Sequence, residues 1–139
     1  PEPLSYDFNN EVLYNASIGK SKNIKTFIMD SNVVVGVGNI YASESLFLAG
    51  ISPKRVSGKT SKSRYETLTK SIKKILTDAI NNGGTTLNDF SNVDGSPGYF
   101  AQILSVYDRD GMPCMRCNGK IKRIIQNQRA TYYCPKCQN

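Results

Sequence analysis

All four cysteines of this chain lie near its end, as Cys114-Met-Arg-Cys117 and Cys134-Pro-Lys-Cys137, separated by sixteen residues. Each Cys-x-x-Cys turn offers two thiolates from one tight bend, and two such turns at this spacing match a four-cysteine zinc site on two knuckles. Two other readings stay open. Cys134-Pro-Lys-Cys137 has the look of a rubredoxin-like iron knuckle, and four cysteines can also pair as two disulfides. Regular pairing and the absence of secretion features weigh against disulfides. On any of the three, this stretch is a small unit stapled shut. Between the knuckles runs Lys120-Ile-Lys-Arg-Ile-Ile-Gln-Asn-Gln-Arg-Ala-Thr-Tyr-Tyr133, a hairpin pattern that places Arg129 just past a polar turn.

The remainder is long enough for one core beside that unit. No apolar run has membrane-spanning length, the opening residues do not read as a signal peptide, and a reducing cytosol is the expected compartment. Lys and Arg total 18 against 11 acidic residues, a net charge of +7 with pI near 9.3, which points to polyanions and to nucleic acid first. The chain has no histidine, so His-based triads, His-containing metalloprotease sites and His general bases are excluded.

Pro1-Glu2-Pro3-Leu4 is stiff and extended and reads as a linker. Residues 7–17 suit a helix with Phe8, Val12 and Leu13 on one side. Residues 22–29 suit a second, with Ile24, Phe27 and Ile28 inward and Lys22 and Lys25 outward. Three β-branched residues then lead into Gly36-Val-Gly38, where Asn39 is the expected N-cap of a helix over 40–49 that supplies Leu46 and Phe47 to the core and stops at Gly50. Ser63-Arg-Tyr-Glu66 offers a capping box. Behind it, Tyr65, Leu68, Ile72, Ile75, Leu76, Ala79 and Ile80 recur at helical steps, with Lys70, Lys73 and Lys74 off the stripe, until Gly83-Gly84 ends the helix. Residues 85–98 form a long polar loop of a kind more often functional than idle. Tyr99, Phe100, Ile103, Leu104 and Tyr107 suggest one more short helix. The expected fold is mostly α with a terminal metal-bound hairpin.

Two places suit anion chemistry. Gly36-Val-Gly38-Asn39 before a helix offers N–H groups and the positive end of the helix dipole, with the Asn39 NH₂ free to donate to a phosphate. Arg129 on a stapled hairpin suits phosphate contact or insertion into a groove. Taken singly, the first is mostly just a helix start, and the second reads slightly better as a solvated surface arginine.

Together with their neighbours these segments resemble a known family. Val35-Gly-Val-Gly-Asn-Ile-Tyr-Ala-Ser-Glu44 closely resembles the helix–two-turn–helix signature of formamidopyrimidine-DNA glycosylases, bacterial repair enzymes for oxidised purines. Pro1-Glu-Pro-Leu4, Gly83-Gly-Thr-Thr-Leu87 with Asp89-Phe90, Gly98-Tyr-Phe100 and the ending Gln128-Arg-Ala-Thr-Tyr-Tyr-Cys134 are similar to the same family at the expected intervals. The Gly-Gly-Thr-Thr-Leu and Gly-Tyr-Phe segments favour it over the endonuclease VIII relatives. The resemblance implies a hinge over residues 1–6, a helix–two-turn–helix DNA-binding domain over 7–108 and a zinc finger over 109–139. It implies one structural Zn²⁺ on Cys114, Cys117, Cys134 and Cys137. It also implies DNA contacts from Lys25, Asn39, Tyr41, Tyr107 and Arg129, with Arg129 donating a proton in δ-elimination, and a base-closing role for residues 85–98. Ser21 departs from the family, which often has a basic residue there.

The implied activity is that of a bifunctional DNA glycosylase and abasic-site lyase of base excision repair, acting on duplex DNA with 8-oxoguanine, formamidopyrimidines or an abasic site. The family's nucleophile is an N-terminal proline followed by glutamate, in a β-rich domain of its own. That catalytic start continues Leu-Pro-Glu-Val-Glu, whereas here Pro3-Leu4-Ser5-Tyr6-Asp7 follows. Pro1-Glu2 therefore reads as the hinge, and the chain as the C-terminal half: a monomer that binds damaged DNA in the bacterial cytosol without catalysing alone, its partner the N-terminal catalytic domain. A non-enzymatic zinc-ribbon nucleic-acid binder is the competing reading.

Overall fold

An apolar helix face needs another to cover it, and this chain folds by matching two. The computed structural model describes residues 2–81 and 104–139. In chain order these form α1 (Val12–Ser17), α2 (Ile24–Ile28), α3 (Asn39–Ala49), a 3-10 turn (Ser57–Lys59), α4 (Lys62–Asn81), β1 (Lys122–Gln126) and β2 (Arg129–Tyr133). The fold is mostly helical with one small antiparallel hairpin. Among the described residues, no helix is long and apolar enough to cross a membrane.

The stripe on α4 behaves as its spacing predicts at Tyr65, Leu68, Ile72, Leu76 and Ala79, all buried, while Ile80 is 54% exposed. It packs on α3, which is buried continuously from Tyr41 to Phe47 because β2 covers its other side. Small side chains at Ala42, Ser43 and Ser45 let both neighbours approach. Phe8, Leu13, Ile24, Phe27 and Ile28 complete this core. Phe47 belongs to a second core, with Val106, Ile121, Tyr132 and two of the cysteines. One helix thus serves both hydrophobic clusters.

Several local expectations shift. Residues 5–10 are turns, so α1 begins at Val12 rather than near Asp7. Asn23 caps α2, its Oδ1 accepting from the Thr26 N–H at 2.8 Å. Lys25 points inward and is only 1% exposed, against the expectation that it faces solvent. Gly38, not Asn39, is the N-cap of α3, and Asn39 is already helical. Ser61, not Ser63, opens α4, its Oγ accepting from the Arg64 N–H at 3.2 Å. Gly50 does end α3, with φ 74° and its N–H turned back to the helix, a conformation that favours glycine. The Gly83-Gly84 stop and the loop expected over 85–98 lie outside the described residues, as does most of the helix expected from Tyr99. Its described part, Leu104 to Tyr107, is not helical.

The hairpin pairs Lys122 with Tyr133 through to Gln126 with Arg129, leaving Asn127 and Gln128 as a two-residue turn. Their φ values of 49° and 65° are those of a turn whose twist matches the strands it joins. Several bonds fix this unit on the helices. The Arg116 guanidinium donates to the Phe47 and Leu48 carbonyls at 3.0 and 3.3 Å and lies over the Phe47 ring. The Gln138 and Gln126 amides donate to the Ile51 and Pro53 carbonyls, each at 2.9 Å. The Asn139 carbonyl accepts from the Ser52 N–H and from Arg55 and Arg64.

Glu44 holds the entry to the hairpin unit. It is 3% exposed on α3, and its carboxylate accepts the N–H groups of Ser105, Val106 and Tyr107 at 2.7, 2.8 and 2.9 Å. Three donors satisfy a buried charge that would otherwise be costly. Glu44→Gln turns an NH₂ toward those donors. It is expected to lower stability by about 2–3 kcal/mol in urea denaturation while leaving zinc content unchanged.

Candidate nucleic-acid interface and metal centre

The four cysteine Sγ atoms lie within 4.8 Å of one another. Cys114 and Cys137 are 3.8 Å apart, and Cys117 and Cys134 are 3.5 Å apart. A tetrahedral zinc with bonds of about 2.3 Å needs sulfur separations of about 3.8 Å, so the cluster fits the ion. Burial and the neighbouring sulfurs push the Cys137 thiol up to about 12, a crowding of potential anions that a dication relieves. The Arg116 and Gly119 N–H groups donate to the Cys114 and Cys117 sulfurs at 3.4 Å, support suited to thiolates. The centre holds one structural zinc. With four protein ligands it has no open position for a reacting water, and its work is to stiffen the hairpin.

That stiffness matters at Ala130, beside the exposed Arg129 on β2. The Ala130 carbonyl accepts from the Asn39 NH₂ at 2.9 Å and from the Lys25 ammonium at 3.3 Å, while Lys25 also donates to Asn39 Oδ1. One carbonyl thereby joins α2, α3 and β2. These bonds orient the Asn39 amide: its oxygen is committed to Lys25 and one N–H to Ala130. By donor count each of the two side chains keeps one further N–H. The start of α3 has no side-chain cap, which leaves the positive end of its dipole beside these cations.

Burial, first, and then the charge of Arg129 push the Lys25 ammonium down to about 8. The interface thus concentrates positive charge against a desolvation cost, an arrangement that an incoming anion relieves. Between α2 and the hairpin turn opens a cleft of about 350 Å³ whose walls include Lys22, Lys25, Thr26, Asp30, Gln126 and Arg129.

The structure therefore gathers Lys25, Asn39 and Arg129 at one place. Tyr41 is elsewhere: it is 8% exposed and lines a different groove with Pro3, Leu4, Val35 and Leu76. Tyr107 is half-buried and packs edge-on against Tyr132, with ring centroids 5.0 Å apart. Sequence reasoning misses Glu44 as an anchor and Lys22, Thr26 and Gln126 as cleft walls. A lone acid in the otherwise uncharged α3 is the signal for the first. No local pattern marks the others.

The depressed Lys25 value has a consequence for stability. The unfolded chain holds this proton up to about 10.5 and the folded chain only to about 8. Between these values the unfolded state binds more protons, so stability rises with pH across that window, and the full cost of the buried charge is present below it. Thermal melts through this range are expected to show the rise in the unsubstituted chain and to lose it in Lys25→Met.

Two family models match the chain. The family described as "Formamidopyrimidine-DNA glycosylase H2TH domain" matches residues 1–91, and "Zinc finger found in FPG and IleRS" matches residues 111–139. Formamidopyrimidine-DNA glycosylases of Ruthia magnifica and Idiomarina loihiensis are 62% and 56% identical over 99% of the chain. The chain spans about half the length of these relatives, 51% of each. Among solved structures, the MutM (Fpg) protein of Thermus thermophilus superposes with a TM-score of 0.88 at 35% identity, covering 99% of this chain and 53% of that one. Lactococcus lactis Fpg in complex with DNA containing an abasic site superposes at 0.89 and 34% identity, over 100% and 51%. The zinc-bound hairpin, the glycine-led helix beside it and these likenesses together place the chain in the formamidopyrimidine-DNA glycosylase family.

Proposed function

We propose that this chain is the DNA-binding part of a bifunctional glycosylase and abasic-site lyase that removes oxidised purines in bacterial base excision repair. Residues 7–108 and 109–139 are its two DNA-binding units and residues 1–6 its hinge. The observation that carries this reading is the Ala130 carbonyl shared by Lys25 and Asn39, which sets two donors beside Arg129 on a hairpin stiffened by zinc. In this reading, Asn39 and Arg129 take the phosphates flanking an extruded nucleotide. Lys25 adds charge from behind them, and Tyr41 and Tyr107 lie along the backbone path. Extrusion is required because the glycosidic bond is inaccessible inside the stack. Arg129 is the proton donor of δ-elimination in the whole enzyme. The nucleophilic amine belongs to the N-terminal catalytic domain, so the 139 residues bind damaged duplex as a monomer without excising the base.

Electrophoretic titration against a duplex with an abasic site tests the assignment. Asn39→Ala and Arg129→Ala are each expected to weaken binding by about tenfold, with zinc content unchanged. Equal affinity in both variants contradicts the site. Equal affinity of the unsubstituted chain for abasic and undamaged duplex favours a general zinc-ribbon binder instead. Borohydride treatment with abasic DNA is expected to trap no covalent product, and a trapped product shows that these residues carry an amine nucleophile.

A further inference from the structure

The cleft between α2 and the hairpin turn extends past the Lys25–Asn39–Arg129 group, and nothing in that group uses its outer wall. That wall is Lys22, Thr26 and Asp30 on one side and Gln126 and Asn127 on the other. We infer that it seats a second backbone phosphate of the bound duplex, with Lys22 as its charged contact. The inference rests on the DNA-binding reading above and adds a residue to it.

The backbone at Lys22 is held firmly. Its carbonyl accepts from both the N–H and the Oγ of Ser57, at 3.0 and 2.7 Å, and the next residue, Asn23, bridges to Val56. The side chain is not comparably committed. Lys22 is 42% exposed and meets Asp30 Oδ2 at 3.8 Å, the outer limit of an ion pair, while Asp30 Oδ1 is occupied by the Asn32 N–H. An exposed pair of this kind is worth little, so a phosphate replaces the carboxylate at small cost. The facing wall is rigid: the Gln126 NH₂ donates to the Pro53 carbonyl at 2.9 Å, and Asn127 is held in the turn with positive φ. Lys22, Lys25 and Arg129 outnumber the single Asp30 around a space of about 350 Å³, a balance that favours an oxyanion. Lys20, two residues earlier, does not line the cleft, although its charge is the same.

This contrast supplies the test. The 139-residue chain is titrated with abasic-site duplex at several salt concentrations, as unsubstituted protein and as Lys22→Gln, Lys20→Gln and Asn39→Ala. Lys22→Gln is expected to weaken binding by about three- to tenfold and to reduce the slope of log affinity against log salt by about one. Lys20→Gln is expected to change affinity by less than about twofold. An unchanged salt slope in Lys22→Gln, or an equal loss in Lys20→Gln, overturns the second seat. If Asn39→Ala weakens binding while Lys22→Gln does not, only this seat fails. If neither does, the DNA-binding reading itself fails.

Discussion

A single backbone carbonyl, that of Ala130, holds three separate parts of this chain in register. It accepts from Asn39 at the start of α3 and from Lys25 on α2, and Lys25 in turn holds the Asn39 oxygen. A buried ammonium is expensive, and here burial, with the charge of Arg129 beside it, pushes the Lys25 ammonium below its ordinary range. Evolution toward stability alone would replace Lys25 with an apolar residue that fits the same space. A charge kept there calls for an anion to complete its environment, which is the place the proposed phosphate contacts at Asn39 and Arg129 would fill.

The position of Ala130 depends on the hairpin, and the hairpin on two anchors of different kinds. Zinc closes the far end, where four sulfurs converge. Glu44 secures the near end by gathering three successive N–H groups, and Arg116 then ties the first knuckle to the last carbonyls of α3. Because Phe47 of that same helix lies in the core beneath the knuckles, α3 is a shared wall rather than a neighbour. The metal unit and the helical unit are therefore set against each other by packing, charge and hydrogen bonds together.

How much of this is legible in the chain follows from how far each signal reaches. The cysteine knuckles, the α4 stripe from Tyr65 to Ala79 and the Gly50 stop are carried by local spacing, and the structure places them accordingly. Lys25 is misread from spacing because a five-residue helix has too little periodicity to define an inward face. What draws it in is a carbonyl 105 residues further on. Asn39 is the expected cap of α3 because that is what asparagine does beside glycine. Instead its side chain is engaged by Lys25 and Ala130, and the cap moves back to Gly38. The choice between Ser61 and Ser63 at α4 is a shift of two residues that composition does not resolve. The metal cluster is legible as a cluster. The interface is legible only as separate residues, because long-range hydrogen bonds assemble it.

In the proposed function zinc acts on DNA binding at a distance, by fixing the hairpin that presents Arg129 and the Ala130 carbonyl. The direct measurement is affinity for abasic-site duplex before and after zinc is removed with a chelator, with circular dichroism followed in parallel. The helical signal is expected to persist largely, affinity to fall by about tenfold or more, and added Zn²⁺ to restore it. A metal-free chain that keeps its helices and binds the duplex as tightly as before would contradict this role of zinc.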